Sequence, residues 1–261
     1  MLGAGWWVSD SVRGLARHAH DNAARLGFEM LGIELGLVAL AVGIAWAMPG
    51  KVGDRLGLRR AVLPFWVAVA LVVGTLGLSQ AIHVVLTVSR SLEGSVIVGI
   101  SRGTREAIGW SFAIAFLGSA VGPAIGEELL CRGLVQRTLT RWAGAFVGIA
   151  VSTVFFGWLH MELVHGVVAA CIGLYLGLAA HWSRSLWPAV AGHALNNTCA
   201  LLASKGLLVI RMPAAVALFG GLAVALGALL WARAAHRRLA TPPGAEGPGI
   251  PLQAGAQSAD S

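Results

Sequence analysis

The chain has 261 residues, of which 57% are apolar and only 12% are charged, and its formal net charge is +7. Soluble domains carry roughly a quarter charged residues, so this composition excludes a soluble globular enzyme and a disordered chain. The 19 Lys and Arg residues lie mostly in short segments between apolar runs, which is typical of loops that contact anionic lipid headgroups. The composition therefore predicts an integral membrane protein with the lipid bilayer as its partner and no nucleic acid.

Seven stretches approach the length of about 20 apolar residues that a helix needs to cross a bilayer. They lie at residues 31–49, 61–89, 107–126, 142–161, 163–183, 185–204 and 212–232. Backbone groups in lipid must be hydrogen-bonded within the segment, so each stretch is predicted to be a helix. The segment 92–100 is too short to span alone, and forms either a re-entrant turn or part of an eighth helix. The predicted fold class is all-α, a polytopic membrane bundle of about seven to eight transmembrane helices.

Charge and composition divide the chain into four regions. Residues 1–30 are expected to form an interfacial segment, and residues 31–106 hold the N-terminal transmembrane helices. Residues 107–232 hold three polar clusters within apolar sequence and are expected to form the functional core. Residues 233–261 begin with basic residues and continue into a Pro-, Gly- and Ala-rich tail, a composition typical of disorder. The distribution of Lys and Arg weakly favours a cytoplasmic C-terminus.

The first polar cluster is Glu127-Glu128-x-x-x-Arg132, at the predicted end of the third span. A charged side chain at mid-bilayer costs about 2.5–3.5 kcal/mol on insertion scales, so such residues usually have a functional partner. Residues four apart share a helix face, so Glu128 is predicted to pair with Arg132. Glu127 then points elsewhere and stays available as a general base. The alternative is an interfacial helix end with solvated acids and a local salt bridge.

Two further clusters follow in later helices. Phe156-x-x-x-His160 closes the fourth span, where a lone histidine can also be merely interfacial. His193-x-x-x-Asn197 lies inside the sixth span, and its two polar side chains share one helix face. Interhelical hydrogen bonding is the alternative for this pair, but its combination with an isolated Glu pair favours a pocket. Glu34, within the first span, is expected to have a structural role or to extend a polar cavity.

Taken in order, the three motifs resemble those of the CPBP family of intramembrane proteases. That family includes the type II CAAX prenyl endopeptidases and bacterial abortive-infection and bacteriocin-immunity relatives. The similarity covers about residues 120–200, which makes 107–232 a CPBP-like protease core. It implies a bundle of roughly eight helices around a conical, water-accessible cavity, in a multi-pass protein of the bacterial cytoplasmic membrane. Cys131 stands where relatives commonly have an aromatic residue.

The resemblance implies an endopeptidase that hydrolyses a peptide bond of a membrane-anchored or lipidated protein or peptide. The candidate catalytic residues are Glu127, Glu128, His160, His193 and Asn197, with Arg132 and Phe156 as structural support. In the expected mechanism, Glu127 and His160 hold and deprotonate the attacking water, while His193 and Asn197 stabilise the oxyanion. Glu128, paired with Arg132, is expected to hold the helix end and the orientation of Glu127.

Three alternatives stay open at this point. No cofactor is expected, but His160, His193 and Glu127 also have the composition of a catalytic zinc site, although Asn197 is a poor zinc ligand. A proton-coupled transporter would use the buried Glu and His residues as a relay, and it predicts internal repeats, which the sequence does not show. A non-catalytic membrane scaffold or immunity protein of the same fold would bind a partner instead of cleaving it.

Overall fold

The structure is a computed structural model that describes residues 22–105, 107–208 and 211–240. Every regular element in these ranges is a helix, which confirms the all-α class. The predicted interfacial segment lies outside the described residues as far as residue 21, and its remainder begins the first helix. The predicted disordered tail lies outside them from residue 241 onward.

The described ranges contain ten α-helices and three short π-helical segments. In chain order, the α-helices are α1 (Asn22–Ala47), α2 (Val52–Leu56), α3 (Phe65–Val88), α4 (Val96–Arg105), α5 (Gly109–Phe116), α6 (Gly122–Glu128), α7 (Arg137–Leu159), α8 (Leu163–Ser183), α9 (Trp187–Ser204) and α10 (Gly221–Ala240). The π-helical segments are Leu117–Val121, Leu129–Gln136 and Val216–Gly220. Such segments are rare and often occur at functional sites, and the second of them carries Arg132.

Five helical stretches of the described chain are long and apolar enough to cross a membrane. They are Ala23–Ala47, Phe65–Val88, Gly109–Leu159, Leu163–Ser183 and Val216–Leu239. Seven spans were predicted, and two features explain the difference. The third stretch contains two of the predicted spans, and helix α9 is not among the five because polar residues such as His193 and Asn197 interrupt its apolar sequence.

The stretch from Gly109 to Leu159 reverses direction at Gly144, whose backbone has φ 87° and ψ 166°. A straight helix of 51 residues would be about 75 Å long, far more than the roughly 30 Å of hydrocarbon in a bilayer. Glycine alone adopts such a conformation readily, and here it separates two antiparallel arms. The arms meet where Ser152 Oγ donates to the Cys131 carbonyl oxygen over 2.9 Å. The third span was predicted to end at the first motif. That prediction is wrong, because the helix continues through the motif and reverses direction only at Gly144.

Helix α1 packs closely against α5, α6 and the π-helical segment between them. A Cβ added at Gly126 would lie 2.5 Å from Glu34 Oε2, and one at Gly27 would lie 2.7 Å from the carbonyl carbon of Ile114. Small residues permit this close approach of backbones in membrane bundles. The contact places the buried carboxylate of Glu34 beside the first motif.

Helices α3, α8 and α10 form the largest apolar cluster of the described chain. Leu71, Leu176 and Ala225 are buried in it. Tyr175 is also buried there, and its hydroxyl donates to the Leu71 carbonyl oxygen over 3.0 Å. This cluster holds α8 in place, and the opposite face of α8 contacts the first motif.

The bundle has two polar ends, between which the described chain passes seven times. At the end that we call the basic end, Arg137 Nη2 donates to the Asp54 carbonyl oxygen over 3.3 Å, and His236 Nδ1 lies 2.8 Å from the Trp182 carbonyl oxygen. At the opposite end, Ser95 Oγ donates to Glu162 Oε2 over 3.1 Å. Helix α7 runs from the basic end toward the opposite end, so it places His160 at its far terminus.

Candidate active site

Buried contacts among Glu128, Arg132 and His193 link the first and third motifs. Arg132 Nη1 donates to Glu128 Oε1 over 2.8 Å, which confirms the pair predicted from the four-residue spacing. His193 Nδ1 lies 3.0 Å from the same oxygen, so helix α9 is tied to the first motif. The side chains of Glu128 and Arg132 are 0% exposed and that of His193 is 7% exposed. An ionised carboxylate only accepts hydrogen bonds, so Nδ1 of His193 carries the proton.

The guanidinium of Arg132 is fixed on two further sides. Its Nη2 donates to the Gly173 carbonyl oxygen over 3.0 Å, and its Cζ lies 4.0 Å from the centroid of the Phe156 ring. One helical turn later, Gln136 Nε2 donates to the Gly177 carbonyl oxygen over 2.8 Å. The two glycines, four residues apart on α8, therefore accept two donors that are four residues apart on the π-helical segment. This match fixes the position of the whole first motif relative to α8.

Phe156 and His160 close helix α7 beside this cluster. The Phe156 ring lies edge-on to both histidine rings, with centroid distances of 5.1 Å to His160 and 5.8 Å to His193. Nδ1 of His160 lies 2.9 Å from the Phe156 carbonyl oxygen, which only accepts, so Nδ1 is the protonated nitrogen. Burial lowers the pKa of His160 from its ordinary value of 6.5. At neutral pH the ring is therefore neutral, and Nε2 carries a free lone pair.

Glu127 is the partly exposed member of the carboxylate pair. Its side chain is 14% exposed, and its Oε2 lies 3.8 Å from His193 Nε2. That distance exceeds the roughly 3.2 Å limit of an N–H···O hydrogen bond, and Oε2 has no hydrogen-bond partner among the described groups. Glu127 thus forms no part of the ion pair of Glu128 and Arg132, and it lies at Nε2 of the His193 ring that Glu128 bonds at Nδ1. Its Oε2 is a buried acceptor without a partner, which suits a group that takes a proton from a bound water.

Glu34 is a third carboxylate at the site, and sequence reasoning did not include it among the site residues. It is 6% exposed, and its Oε2 also lacks a hydrogen-bond partner in the described part of the chain. The neighbouring carboxylate of Glu127 interacts with it electrostatically. The signal in the sequence was an acidic residue in the middle of an apolar span, which by itself marks a functional candidate.

Asn197 lies one helical turn beyond His193 on α9 and is half-buried. Its Oδ1 accepts a hydrogen bond from Asn196 Nδ2 over 3.1 Å, which leaves the amide N–H groups of Asn197 available for another acceptor. In the described contacts, Glu127, Glu128 and His193 form one group with Phe156 and His160. Asn197 lies on the same face of α9 as His193, but in the described contacts it forms no hydrogen bond with any of these five residues.

The turn after His160 is held by Glu162, which caps the N-terminus of α8. Its two oxygens accept from the backbone N–H groups of Val164 and His165, each over 2.9 Å, and these hydrogen bonds lower the pKa of Glu162. The ring centroids of His160 and His165 are 4.3 Å apart. The cap therefore fixes the turn that carries His160, and His165 lies in the first turn of α8.

The zinc alternative requires His160, His193 and Glu127 to converge on one ion. Across the described ranges, no group of three or more His, Cys, Asp or Glu side chains is arranged to hold a metal ion. His193 has Nδ1 on Glu128 and Nε2 3.8 Å from Glu127 Oε2, and His160 has Nδ1 on a backbone carbonyl oxygen. Histidines that ligate a metal usually hold their other ring N–H in this way, so the zinc alternative stays open beside the metal-free one.

One segment of the chain is similar to a known protein family. Residues 109–199 match the family model described as Type II CAAX prenyl endopeptidase Rce1-like. No curated protein and no solved structure matches the chain. The matched segment begins at α5, ends within α9 and contains all three motifs. The family-model match, the order of the three motifs and the helical membrane architecture agree, and residues 109–199 are similar to the Rce1-like type II CAAX prenyl endopeptidases, which is consistent with a CPBP-type intramembrane protease.

Proposed function

We propose that the protein is an intramembrane endopeptidase that hydrolyses a peptide bond of a membrane-anchored or lipidated substrate. The observation that carries the proposal is Glu127, a partly exposed carboxylate with an unpartnered oxygen beside a buried Glu–Arg–His network. Such a carboxylate can accept a proton from water while the network holds it in place. The family description adds the substrate class, a peptide whose anchor is a prenyl group.

In the proposed reaction, Glu127 takes one proton from the attacking water. Nε2 of His160 accepts a hydrogen bond from the same water, because Nδ1 is the protonated nitrogen of that ring. The water oxygen forms a bond to the scissile carbonyl carbon, and the carbonyl oxygen becomes an oxyanion. Glu127 then returns its proton to the leaving amine as the C–N bond breaks.

The oxyanion is stabilised by donors on helix α9. Glu128 accepts from Nδ1–H of His193, and the proposal requires a second proton on Nε2, which faces Glu127, for this ring to donate to the oxyanion. The amide N–H groups of Asn197 lie one turn away on the same face. Removing one such donor from an oxyanion site typically costs about 10²–10³ in kcat.

Glu128 acts in this proposal as a positioning residue. It is 0% exposed, and its Oε1 already accepts from Arg132 and His193. The sequence-based mechanism had Glu128 orienting Glu127. Its contacts support orientation of His193 instead, since His193 is the residue that it bonds.

The reaction is proposed to use no metal ion, because the described residues include no group of three or more His, Cys, Asp or Glu side chains arranged to hold one. The test uses purified protein in liposomes with a fluorogenic peptide that carries a prenylated cysteine, and mass spectrometry of the products. After chelation and measurement of residual metal, we expect one new C-terminus and full activity. Activity that disappears on chelation and returns with zinc would contradict the metal-free mechanism.

The same preparation separates the enzyme from its two rivals. Replacing His160 with Ala should abolish product formation, while Glu93→Gln, an exposed acid at the opposite end, should leave it unchanged. A scaffold would bind the peptide without producing a new terminus. A transporter would support proton flux across liposomes that contain the protein but no peptide, which the proposed enzyme would not.

A further inference from the structure

The basic end of the bundle contains a cavity of about 340 Å³, which we call the basic pocket. It lies on the far side of Arg132 from His193, and the catalytic proposal does not use it. Its cationic wall consists of Arg59, Arg137, Arg141 and Arg184, and His181, His236 and Arg132 also line it. No Asp or Glu lines it.

The arginines of this wall are not neutralised by ion pairs. Among the described residues, Arg59, Arg137, Arg141 and Arg184 form no salt bridge, whereas Arg132 is paired with Glu128. Arg137 has Arg59 and Arg141 as charged neighbours, and Asp54 as the acidic one. Four guanidinium groups around one cavity repel each other, so the arrangement favours a bound anion.

The wall is fixed by backbone contacts rather than formed by free surface side chains. Ser185 Oγ donates to the Arg59 carbonyl oxygen over 2.6 Å, and the Leu186 backbone N–H donates to the Gly57 carbonyl oxygen over 3.0 Å. Arg184 adopts φ 54° at the C-cap of α8, a left-handed position where glycine is usual. The two loops that carry Arg59 and Arg184 are thus tied together across the pocket.

Exposed aromatic residues place the pocket at the depth of the lipid headgroups. Helices α1, α3 and α9 carry them next to the basic end, as does the turn at Gly144. They are Trp46 (79% exposed), Phe65 (70%), Trp66 (70%), Trp142 (90%) and Trp187 (53%). Exposed Trp residues in a membrane protein concentrate at the interface, so the neighbouring cavity opens where phosphate groups of lipids lie.

We propose that the basic pocket binds the phosphate group of an anionic membrane lipid. Guanidinium groups match a phosphate with paired N–H donors, and basic pockets between transmembrane helices bind such headgroups. The pocket would thereby anchor the loops at 57–62 and 183–186 to the bilayer. The inference does not depend on the proposed peptidase activity, because it is tested by binding alone.

The test compares wild type with the double variant Arg141→Gln/Arg184→Gln, in which both altered residues are exposed. The matched control is Arg90→Gln/Arg102→Gln, which removes two exposed arginines from the opposite end. Each protein is reconstituted in phosphatidylcholine nanodiscs containing increasing phosphatidylglycerol, and bound lipid is measured by native mass spectrometry. A parallel arm adds inorganic phosphate to wild type in nanodiscs that contain phosphatidylglycerol.

We expect wild type and control to retain phosphatidylglycerol selectively, and the pocket variant to bind it at least roughly tenfold more weakly. A thermal unfolding scan in neutral lipid checks that all three proteins are folded alike. Equal lipid retention by the pocket variant and the control would overturn the proposal. Inorganic phosphate that displaces the lipid at comparable concentration would overturn the assignment to a lipid.

Discussion

Arg132 is the residue on which the buried side of the site depends. It donates to Glu128 and to the Gly173 carbonyl oxygen, and it lies over the Phe156 ring. Removal of one partner of a buried pair leaves the other charge uncompensated, and such a loss typically costs about 3–5 kcal/mol. The Arg132 side chain therefore stabilises the fold and orients His193 through one shared carboxylate.

The substitution Arg132→Met should accordingly lower the free energy of unfolding by about 3–5 kcal/mol, because Glu128 would remain buried without its cation. The measurement is reversible unfolding in mixed micelles. Its control is Arg25→Gln, which breaks a pair with Glu29 whose arginine is 60% exposed and should cost at most about 1 kcal/mol. Equal losses in the two variants would contradict the buried network.

The protonation state of His160 gives a second prediction at this scale. Burial lowers its pKa below 6.5, so the neutral ring with a free Nε2 persists at neutral pH and is lost only as pH falls through that lowered value. We expect NMR of ¹⁵N-labelled histidine to show the His160 ring neutral at pH 6.5, the ordinary histidine value, and protonated only at lower pH. A His160 ring that is already protonated above this value would contradict the burial of that side chain.

At the scale of elements, the first motif shows which features its sequence predicts correctly and which it does not. The spacing of Glu128 and Arg132 predicts their pairing, and the structure contains it. The prediction that these two charges mark the end of the third span is wrong, because the helical stretch continues to Leu159. Inside the protein, His193 compensates Glu128 and the Gly173 carbonyl oxygen accepts from Arg132. These partners come from distant helices, and local sequence does not reveal them.

Close contact between α8 and the first motif leads to a prediction for Gly173→Ala. The added Cβ would lie 2.9 Å from Arg132 Nη2 and 2.8 Å from Phe156 Cδ1, so we expect a loss of about 1–3 kcal/mol. Activity should fall with stability, because Phe156 packs against both histidine rings and Arg132 shares the Glu128 carboxylate with His193.

The matched control for this substitution is Gly227→Ala on α10, where an added Cβ would meet nothing within 4 Å. Replacing a helical glycine in open space should be neutral or stabilise by up to about 1 kcal/mol. Unfolding in micelles compares the two variants. If both alanines were equally tolerated, the tight contact between α8 and the first motif would be refuted.

For the whole molecule, the sequence indicated a membrane bundle and the segment of the chain that carries the site. It did not indicate that Glu34 belongs beside Glu127, or that arginines from three separate segments surround one cavity. Both features arise from helix packing between parts of the chain far apart in sequence. The number of apolar spans in the structure is also smaller than predicted because of α9. Its polar residues His193 and Asn197 lower the hydropathy of this helix.

The distribution of charge between the two ends predicts the orientation. Lys51, Arg59, Arg137 and Arg184 belong to the basic end, and the positive-inside rule places that end in the cytoplasm. In a variant without its three native cysteines, Arg60→Cys should resist a membrane-impermeant thiol reagent in intact cells, while Glu93→Cys should react. The opposite labelling pattern would reverse the orientation.

The central claim is that Glu127 activates the water that cleaves the substrate, and one measurement tests it most directly. The kcat/KM of purified wild type and Glu127→Gln is compared on the prenylated fluorogenic peptide, in buffer with a chelator. Loss of the general base should lower kcat/KM by about 10²–10⁴, with unchanged thermal unfolding, because Gln keeps the shape of the side chain. A Glu127→Gln protein that cleaves the peptide within a few-fold of the wild-type rate would contradict the account.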